Sequence, residues 1–393
     1  MSPSTDENAG DRSAKLREKP GGLEDANLKE LERLFQLMIK YGASDLHLKA
    51  GNPPIMRMQG KVRYFDAEAL TGDRIKSMLD EVLTPVQLRT FEGGSDLDFA
   101  YSLEGIGRYR LNVFRQRGSI SIAVRRVNTD IPGFSQLHLA ASTMEKIANN
   151  KQGLVIVAGV TGSGKSTSLA AMIEYINTTR RCHIVTIEDP IEFLYRDKKA
   201  FINQREIGID VPSFAAALKS VVRQDPDVIL IGEMRDPETF EAALTAAETG
   251  HLVFGTLHSS TVSQTIGRIC DLFPANREKH IRAGLRFNLR AIICQKILPS
   301  TQTSIGLVPA QEILLVTPTV QKLIVDGEDK KIEQVIRSGK EEGMQDFNQS
   351  LISLVKEGLI SERTAIEASH NADQLAMNLK GIFLGDDRKI VSS

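Results

Sequence analysis

The 393-residue sequence contains no tryptophan, few aromatic residues and only three cysteines. Cys182, Cys270 and Cys294 are an odd number, lie far apart in sequence and form no C-x-x-C pair. Metal-binding cysteines usually come in closely spaced pairs, and secreted domains use even sets of cysteines for disulfides. The pattern therefore argues against a zinc site and favours a reducing compartment.

Long apolar runs and a strong net charge are also absent. No apolar run approaches the ~20 residues that span a bilayer. The first residues include Asp6, Glu7 and Asp11 without an apolar segment, which argues against a signal peptide. A formal net charge of −1 gives no general attraction to nucleic acid. We therefore expect a cytoplasmic protein without a transmembrane segment or a nucleic-acid partner, which docks on a membrane if it serves a membrane process.

The first third of the chain is expected to hold a flexible tail and a small domain. Residues 1–25 are polar and cannot bury enough apolar surface to become ordered. Within residues 26–128, the apolar positions between Asn27 and Tyr41 fall on one helical face. Short alternating segments follow, with one further helix near Arg74–Leu83, and predict an α+β domain with an antiparallel sheet. The predicted strands are Asp45–Lys49, Ile55–Met58, Lys61–Phe65, Leu97–Tyr101, Arg108–Phe114 and Ile120–Val127.

Residues 129–136 read as a linker, after which the pattern changes. From 137 to 300, short apolar runs alternate with helical segments, which is typical of a parallel α/β sheet. The chain is predicted to be mostly helical over 301–380 and to end in a loose polar tail, 381–393. The strands expected in the α/β region are Leu154–Ala158, His183–Ile187, Val228–Ile231 and Leu252–Thr256.

One glycine-rich segment, Gly159–Thr167, fits the phosphate-binding pattern G-x-x-x-x-G-K-[S/T]. A predicted strand precedes it and a predicted helix follows it, which is the context that the pattern requires. Glycines let backbone N–H groups curl around phosphate oxygens, and the start of the helix adds partial positive charge. Lys165 is expected to reach the β- and γ-phosphates, and the Ser166 hydroxyl to ligate Mg²⁺.

Acidic residues follow two of the predicted strands. Glu188 comes directly after His183–Ile187, and Glu233 follows Val228–Ile231 after one glycine. Ligands of parallel α/β sheets gather at the carboxyl ends of the strands. A nucleotide hydrolase needs one carboxylate near its metal and another that orients water. Glu233 would therefore lie beside the metal, and Glu188 is the second candidate carboxylate. The alternative is that both acids are ordinary solvated turn residues.

Two further groups of residues leave alternatives open. His251 and His258 flank a third strand and could bind phosphate, water or a carboxylate, although a histidine near a strand is more often structural. Arginines alternate with apolar residues in Arg108–Phe114, so they are expected to point away from their domain's core. They could form an ordinary solvated charged face. They could instead act as arginine fingers that neutralise charge across an interface.

Four segments together resemble the Walker A, Asp box, Walker B and His box of secretion ATPases. Within that superfamily the sequence is most similar to the PilT/PilU family of twitching-motility ATPases, over roughly residues 27–375. Gly42–Leu48, Gly107–Phe114 and Phe201–Glu206 add to the similarity. The four boxes are Gly159–Thr167, Thr186–Phe193, Ile229–Asp236 and Ala246–His258.

The resemblance implies a PAS-like N-terminal domain joined to a RecA-like ATPase core, assembled as a homo-hexamer with ATP at subunit boundaries. It implies ATP and Mg²⁺ as cofactors, and an inner-membrane pilus platform protein and a paralogous pilus ATPase as partners. Ser166 and Glu233 would hold the metal, and Glu188 would polarise the attacking water. His258, with His251 as a weaker candidate, would sense the γ-phosphate. Arg110 and Arg125, with Arg117 as a further candidate, would be the fingers. The nucleotide-binding residues would be Thr161, Gly162, Ser163, Gly164, Lys165, Ser166 and Thr167, and the catalytic residues Glu188, Glu233, His258, Arg110 and Arg125.

The sequence departs from the family pattern in one segment. The four-cysteine zinc element of pilus-extension and type II secretion ATPases is missing, which favours the retraction branch. However, Thr319–Ile324 reads Thr-Val-Gln-Lys-Leu-Ile where retraction ATPases resemble Ala-Ile-Arg-Asn-Leu-Ile. A hexameric ATPase that powers type IV pilus retraction and twitching motility is therefore expected. A PilU-like accessory ring subunit and an assembly or type II secretion ATPase remain as alternatives.

Overall fold

The computed structural model describes residues 29–58 and 60–382, which divide into two compact units between Thr129 and Asp130. The predicted tail 1–25 lies outside the described residues, as does the tail 381–393 apart from its first two residues. Among the described residues, no helix is long and apolar enough to cross a bilayer.

The N-terminal unit is a six-stranded antiparallel sheet packed against helices, as the alternating pattern predicted. The strands run in the order β3-β2-β1-β6-β5-β4. The elements are α1 (Glu30–Lys40), β1 (Ala43–Lys49), β2 (Ile55–Met58), β3 (Lys61–Tyr64), α2 (Gly72–Asp80), α3 (Pro85–Glu92), β4 (Leu97–Leu103), β5 (Gly107–Gln116) and β6 (Ser119–Arg126).

The core of this unit lies between α1 and the sheet. Phe35 of α1 is fully buried and stacks on Tyr109 of β5 with ring centroids 4.1 Å apart. Tyr109 alternates along β5 with less buried neighbours, including Arg110, so the predicted orientation of the arginines away from the core is confirmed. Helix α3 was not predicted. It begins with a capping box in which Thr84 and Gln87 satisfy each other's backbone N–H groups.

The C-terminal unit is built on a seven-stranded sheet in the order β13-β12-β7-β11-β10-β8-β9. Every neighbouring pair is parallel except β12 with β13. The strands are β7 (Gly153–Ala158), β8 (His183–Glu188), β9 (Phe201–Glu206), β10 (Val228–Ile231), β11 (Leu252–Leu257), β12 (Leu289–Pro299) and β13 (Leu307–Leu315).

The four predicted strands of this sheet are confirmed to within one residue at either end. Strands β7, β8, β10 and β11 are buried along their whole length, because helices cover both faces of the sheet. The helices are α4 (Ala141–Ala148), α5 (Lys165–Thr179), α6 (Phe214–Val221), α7 (Pro237–Glu248), α8 (Val262–Asp271), α9 (Glu278–Asn288), α10 (Pro318–Asp326), α11 (Ile332–Ser338), α12 (Phe347–Lys356), α13 (Glu362–Ala368) and α14 (Ala372–Leu379).

The expectation that the chain is mostly helical after residue 300 is wrong for its first part. Strand β13 pairs with β12 over nine residue pairs, so the sheet extends to Leu315. Pro309, Gln311 and Glu312 interrupt its apolar pattern, although all but the first residue of the strand are buried. The polar side chains are buried because they have specific partners, and a strand of this kind gives no apolar run in the sequence.

Candidate functional site

The glycine-rich loop lies between β7 and α5, at the carboxyl end of the parallel strands. Gly164 has a φ of 83°, which a side chain rarely tolerates. A Cβ atom on Gly159 would lie 2.3 Å from the Ser163 Oγ and 2.6 Å from the Gln295 carbonyl oxygen. A Cβ on Gly164 would lie 2.7 Å from the Gln295 Nε2. The two glycines that define the motif are thus required by close packing as well as by backbone conformation.

The side chain of Lys165 is hydrogen-bonded to the backbone of this loop. Its Nζ donates to the carbonyl oxygens of Gly159, at 2.9 Å, and Val160, at 3.1 Å. Burial lowers the pKa of Lys165, and the charges of Glu233 and Glu192 act in the opposite direction. The ammonium group is therefore oriented by its own loop and lies in an acidic surrounding.

Gln295 of β12 binds the loop through its side-chain amide, and no sequence pattern pointed to this residue. The Gln295 Nε2 donates to the Ser163 carbonyl oxygen at 2.8 Å, and its Oε1 accepts from the Ser168 Oγ at 2.8 Å. Gln311 of β13, the cross-strand neighbour of Gln295, donates to the same Oε1 at 3.4 Å. Gln295 is only 3% exposed. One buried amide thus links the loop and α5 to the antiparallel pair β12–β13.

Glu188 is the last residue of β8 and is 8% exposed. Its Oε1 accepts from the Thr186 Oγ1 at 2.7 Å and from the Gln204 Nε2 at 3.1 Å. Burial raises the pKa of Glu188, while these two hydrogen bonds and one from the Glu192 backbone lower it. The carboxylate is buried and oriented, unlike a solvated acid in a surface turn.

Glu233 lies two residues beyond β10 and forms a charged cluster. The His258 Nε2 is 2.9 Å from the Glu233 Oε1, and Arg235 is paired with the same oxygen. That oxygen is shielded from solvent. Glu233 is thus a partly buried carboxylate with a guanidinium and an imidazole beside it.

A single pocket brings most of the predicted site residues together. Lys165 and Ser166 of the loop line it with Glu188, Glu233 and His258, which come from three strand ends. Thr161 and Gly162 line it as well. The wall also contains residues that were not predicted: Glu192, Phe193, Tyr195, Phe214 and Arg235.

A second cavity lies on the other side of the loop and accounts for two more of the predicted residues. Gly164 and Thr167 line it together with apolar side chains that include Leu137, Ile297 and Ile305. Ser163 is 2% exposed and faces the interior, with its Oγ buried and without a hydrogen-bond partner. The loop therefore separates an acidic pocket from a more apolar cavity.

His251 is excluded from the acidic pocket. It precedes the first residue of β11, whereas His258 follows the last, so strand rise alone separates them by roughly 20 Å. The His251 Nδ1 lies 2.8 Å from the Ala246 carbonyl oxygen, at the end of α7. The weaker of the two histidine candidates thus lies at the opposite end of β11 from the pocket, where it has a structural partner.

The predicted finger arginines belong to the N-terminal unit, where each is paired with a carboxylate. The Arg110 Nε donates to the Asp98 Oδ1 at 2.8 Å, and the Arg125 Nε donates to the Asp45 Oδ1 at 2.9 Å. Burial alone would raise the pKa of Asp45, but hydrogen bonds from Ser44 and Arg125 and the charge of Arg125 lower it. The Arg125 side chain remains 75% exposed, so its charge is accessible to a further partner.

Comparison with known proteins gives matches over most of the chain. Residues 120–306 match the family of type II/IV secretion system proteins. The type IV pilus retraction ATPase PilT of Pseudomonas aeruginosa is 40% identical over 338 residues, covering 86% of this chain and 97% of PilT. The type IV pilus ATPase PilU of the same organism is also 40% identical, over 351 residues, covering 89% of this chain and 91% of PilU.

A solved structure also matches this fold. It is a crystal structure of the pilus retraction motor PilT with bound ADP, which superposes with a TM-score of 0.80 at 43% identity. The match covers 87% of this chain and 97% of that one. The expected fold class, a RecA-like core with a smaller α+β domain, is therefore confirmed.

Proposed function

The chain belongs to the PilT/PilU family of pilus ATPases, and from this premise we propose that it is an ATP-hydrolysing motor that powers type IV pilus retraction and twitching motility. The observation that carries the proposal is the single pocket that unites Lys165 and Ser166 with Glu188, Glu233 and His258. Phosphate-binding groups, metal-binding oxygens and a buried carboxylate are the parts that phosphoryl transfer to water requires.

ATP would bind with its phosphates on the glycine-rich loop. The backbone N–H groups of the loop and the start of α5 favour the negative charge. Lys165 would exchange its two loop carbonyl partners for the β- and γ-phosphates. The nucleoside would lie toward the cavity lined by Thr167 and Ile297, because the opposite pocket is filled with acidic groups that suit a metal and a reacting water.

Ser166 and Glu233 are the residues that would hold Mg²⁺, which when bound offsets phosphate charge. The Glu233 carboxylate lies in the same pocket as the Ser166 hydroxyl, and oxygen ligands of this kind suit Mg²⁺. Mg²⁺ commonly takes only one or two protein oxygens and completes its shell with phosphates and water. His258 and Arg235 both lie beside Glu233 and would sense the negative charge of a bound γ-phosphate.

Glu188 would orient the attacking water and take its proton. A buried carboxylate whose pKa is raised by burial is a better proton acceptor than a solvated one, provided that it stays ionised. The hydrogen bonds from Thr186 and Gln204 favour its ionised form and fix its orientation.

We further propose a homo-hexamer in which Arg110 and Arg125 complete a neighbouring subunit's site. The exposed Arg125 would share its charge between Asp45 and the transferred phosphate. The ring would dock on the pilus platform protein at the inner face of the cytoplasmic membrane. ATP hydrolysis at each subunit interface would rotate the N-terminal unit of one subunit against the C-terminal unit of its neighbour.

A second candidate is an accessory, PilU-like subunit that assists a primary motor. Equal identity to PilT and to PilU supports keeping it, as does the loss of the Arg-Asn pair at Gln321 and Lys322 on α10. An outward-pushing assembly ATPase is disfavoured by the missing cysteine set.

Gene deletion tests the direction of the motor. Loss of a retraction motor leaves extra pili that do not retract and abolishes twitching, and the wild-type gene restores both. A Glu188→Ala gene is expected to fail in this complementation. Loss of all pili would show an assembly ATPase, and normal retraction with reduced force would favour the accessory role.

A further inference from the structure

Residues outside the phosphate loop contact the Glu188 carboxylate. The function proposed for them here rests on the role proposed for Glu188. We propose that Thr186 and Gln204 are positioning residues that hold the Glu188 carboxylate in the orientation needed to activate water, and that Gln204 ties this carboxylate to the wall of the pocket.

Both side chains donate to one atom. Thr186 lies two residues before Glu188 on β8 and is fully buried; its Oγ1 is 2.7 Å from the Glu188 Oε1. Gln204 lies on β9, directly opposite Thr186 in the parallel register, and its Nε2 is 3.1 Å from the same oxygen. The Glu192 backbone N–H also donates to this carboxylate. Two side-chain donors on one oxygen prevent rotation of the carboxyl group and favour its ionised form.

The orientation of the Gln204 amide is determined by its partners. Its Nε2 also donates to the Phe193 carbonyl oxygen at 2.8 Å, and its Oε1 accepts from the Tyr195 backbone N–H at 3.0 Å. A flipped amide would place its oxygen against a carboxylate and a carbonyl, both of which are acceptors, so only one orientation is satisfied.

These bonds connect the carboxylate to the pocket wall. Phe193 and Tyr195 both line the pocket that contains Lys165 and Glu188. Strand β9 is at the edge of the sheet, so Gln204 reaches inward from the outermost strand to join two parts of the site. A displacement of the Phe193–Tyr195 segment would therefore be transmitted to Glu188 through one side chain.

Substitutions at Thr186 separate positioning from packing. Thr186→Val keeps the shape of the side chain and removes the hydroxyl, whereas Thr186→Ser keeps the hydroxyl and removes a methyl group. If the hydroxyl positions Glu188, Thr186→Val loses turnover and Thr186→Ser stays close to the wild type. General-base catalysis is worth ~10²–10⁴-fold, so a misplaced but present base should cost ~10- to 100-fold in kcat.

The second variant is Gln204→Met, which keeps an unbranched side chain of similar length. Its matched control is Asn203→Ala on the same strand, because the Asn203 Nδ2 contacts the His183 Nε2, at 2.9 Å, and not the site. Gln204→Met should lower kcat ~10- to 100-fold, and Asn203→Ala should leave it unchanged. Because Thr186 and Gln204 act on one oxygen, the double variant should lose less than the product of the two single losses.

The assay is steady-state ATP hydrolysis by the full-length protein, with affinity for a fluorescent ADP analogue measured separately. Positioning predicts a lower kcat with nucleotide affinity within ~2-fold of the wild type, since the phosphate loop is untouched. The proposal would be overturned if Thr186→Ser lost turnover while Thr186→Val kept it. It would also be overturned if each variant lost nucleotide affinity by the same factor as it lost turnover.

Glu188→Ala distinguishes this proposal from the function on which it rests. If Glu188→Ala is inactive while Thr186→Val and Gln204→Met are fully active, the positioning role alone is wrong. If Glu188→Ala hydrolyses ATP at the wild-type rate, the assignment of Glu188 is wrong, and the positioning role falls with it.

Discussion

Glu312 should make the stability of the C-terminal unit depend on pH. This residue of β13 is 6% exposed, and its Oε2 accepts from the Val262 backbone N–H at 2.7 Å. Burial raises the pKa of Glu312 from near 4.5 to about 7, helped by the negative charges of Asp346 and Glu333. The Val262 hydrogen bond and the charge of Lys296 act in the opposite direction.

The size of the effect follows from linkage. Between pH 4.5 and 7 the folded protein holds a proton on Glu312 that the unfolded chain has lost, so stability falls as pH rises. A pKa difference of about 2.5, at ~1.4 kcal/mol per pH unit, corresponds to ~3 kcal/mol once the pH exceeds 7. Glu312→Gln removes this titration and keeps an oxygen that can accept from Val262.

The expected result is a divergence of two stability curves. The Glu312→Gln variant should gain ~2 to 3 kcal/mol in free energy of unfolding relative to the wild type as pH is raised from 5 to 8. Urea denaturation should be followed by circular dichroism, since the chain has no tryptophan. The exposed Glu341→Gln serves as the control, because Glu341 is not among the charges that shift the pKa of Glu312. Parallel stability curves for Glu312→Gln and the wild type would show that Glu312 does not couple stability to pH.

Two further predictions concern the glycine-rich loop. Lys165→Ala should abolish nucleotide binding or turnover, as measured by ADP titration and ATP hydrolysis. The control, Lys151→Ala, changes an exposed lysine and should keep both activities. A near-wild-type rate of hydrolysis by Lys165→Ala would remove the basis of the site assignment. Gln295→Leu leaves the Ser163 carbonyl and the Ser168 hydroxyl without this partner. Each buried polar group left unsatisfied costs ~1–3 kcal/mol, so the KM for ATP should rise ~10-fold or more with little change in kcat. An unchanged KM would contradict the role of Gln295 in supporting the loop.

Much of the fold could be predicted because its signals are local. The four central strands are short apolar runs, and β1, β2 and β5 follow an alternating pattern, so one-dimensional periodicity is enough to find them. Strands β9, β12 and β13 were not predicted. β9 is an edge strand with a polar sequence, and β13 buries Gln311 and Glu312, so neither has the periodicity of an ordinary core strand.

Local sequence patterns identify the glycine-rich loop, the acids that follow β8 and β10, and the family, because each is a contiguous run of residues. Only the folded chain shows which side chains support them. Gln204 reaches Glu188 across 16 residues of chain, and Gln295 reaches Ser163 across 132. It also distinguished His258 from His251, which lie at opposite ends of one strand. Strand order brings distant residues into hydrogen-bonding distance, and strand direction decides which end of a strand faces the site; neither is encoded in local periodicity.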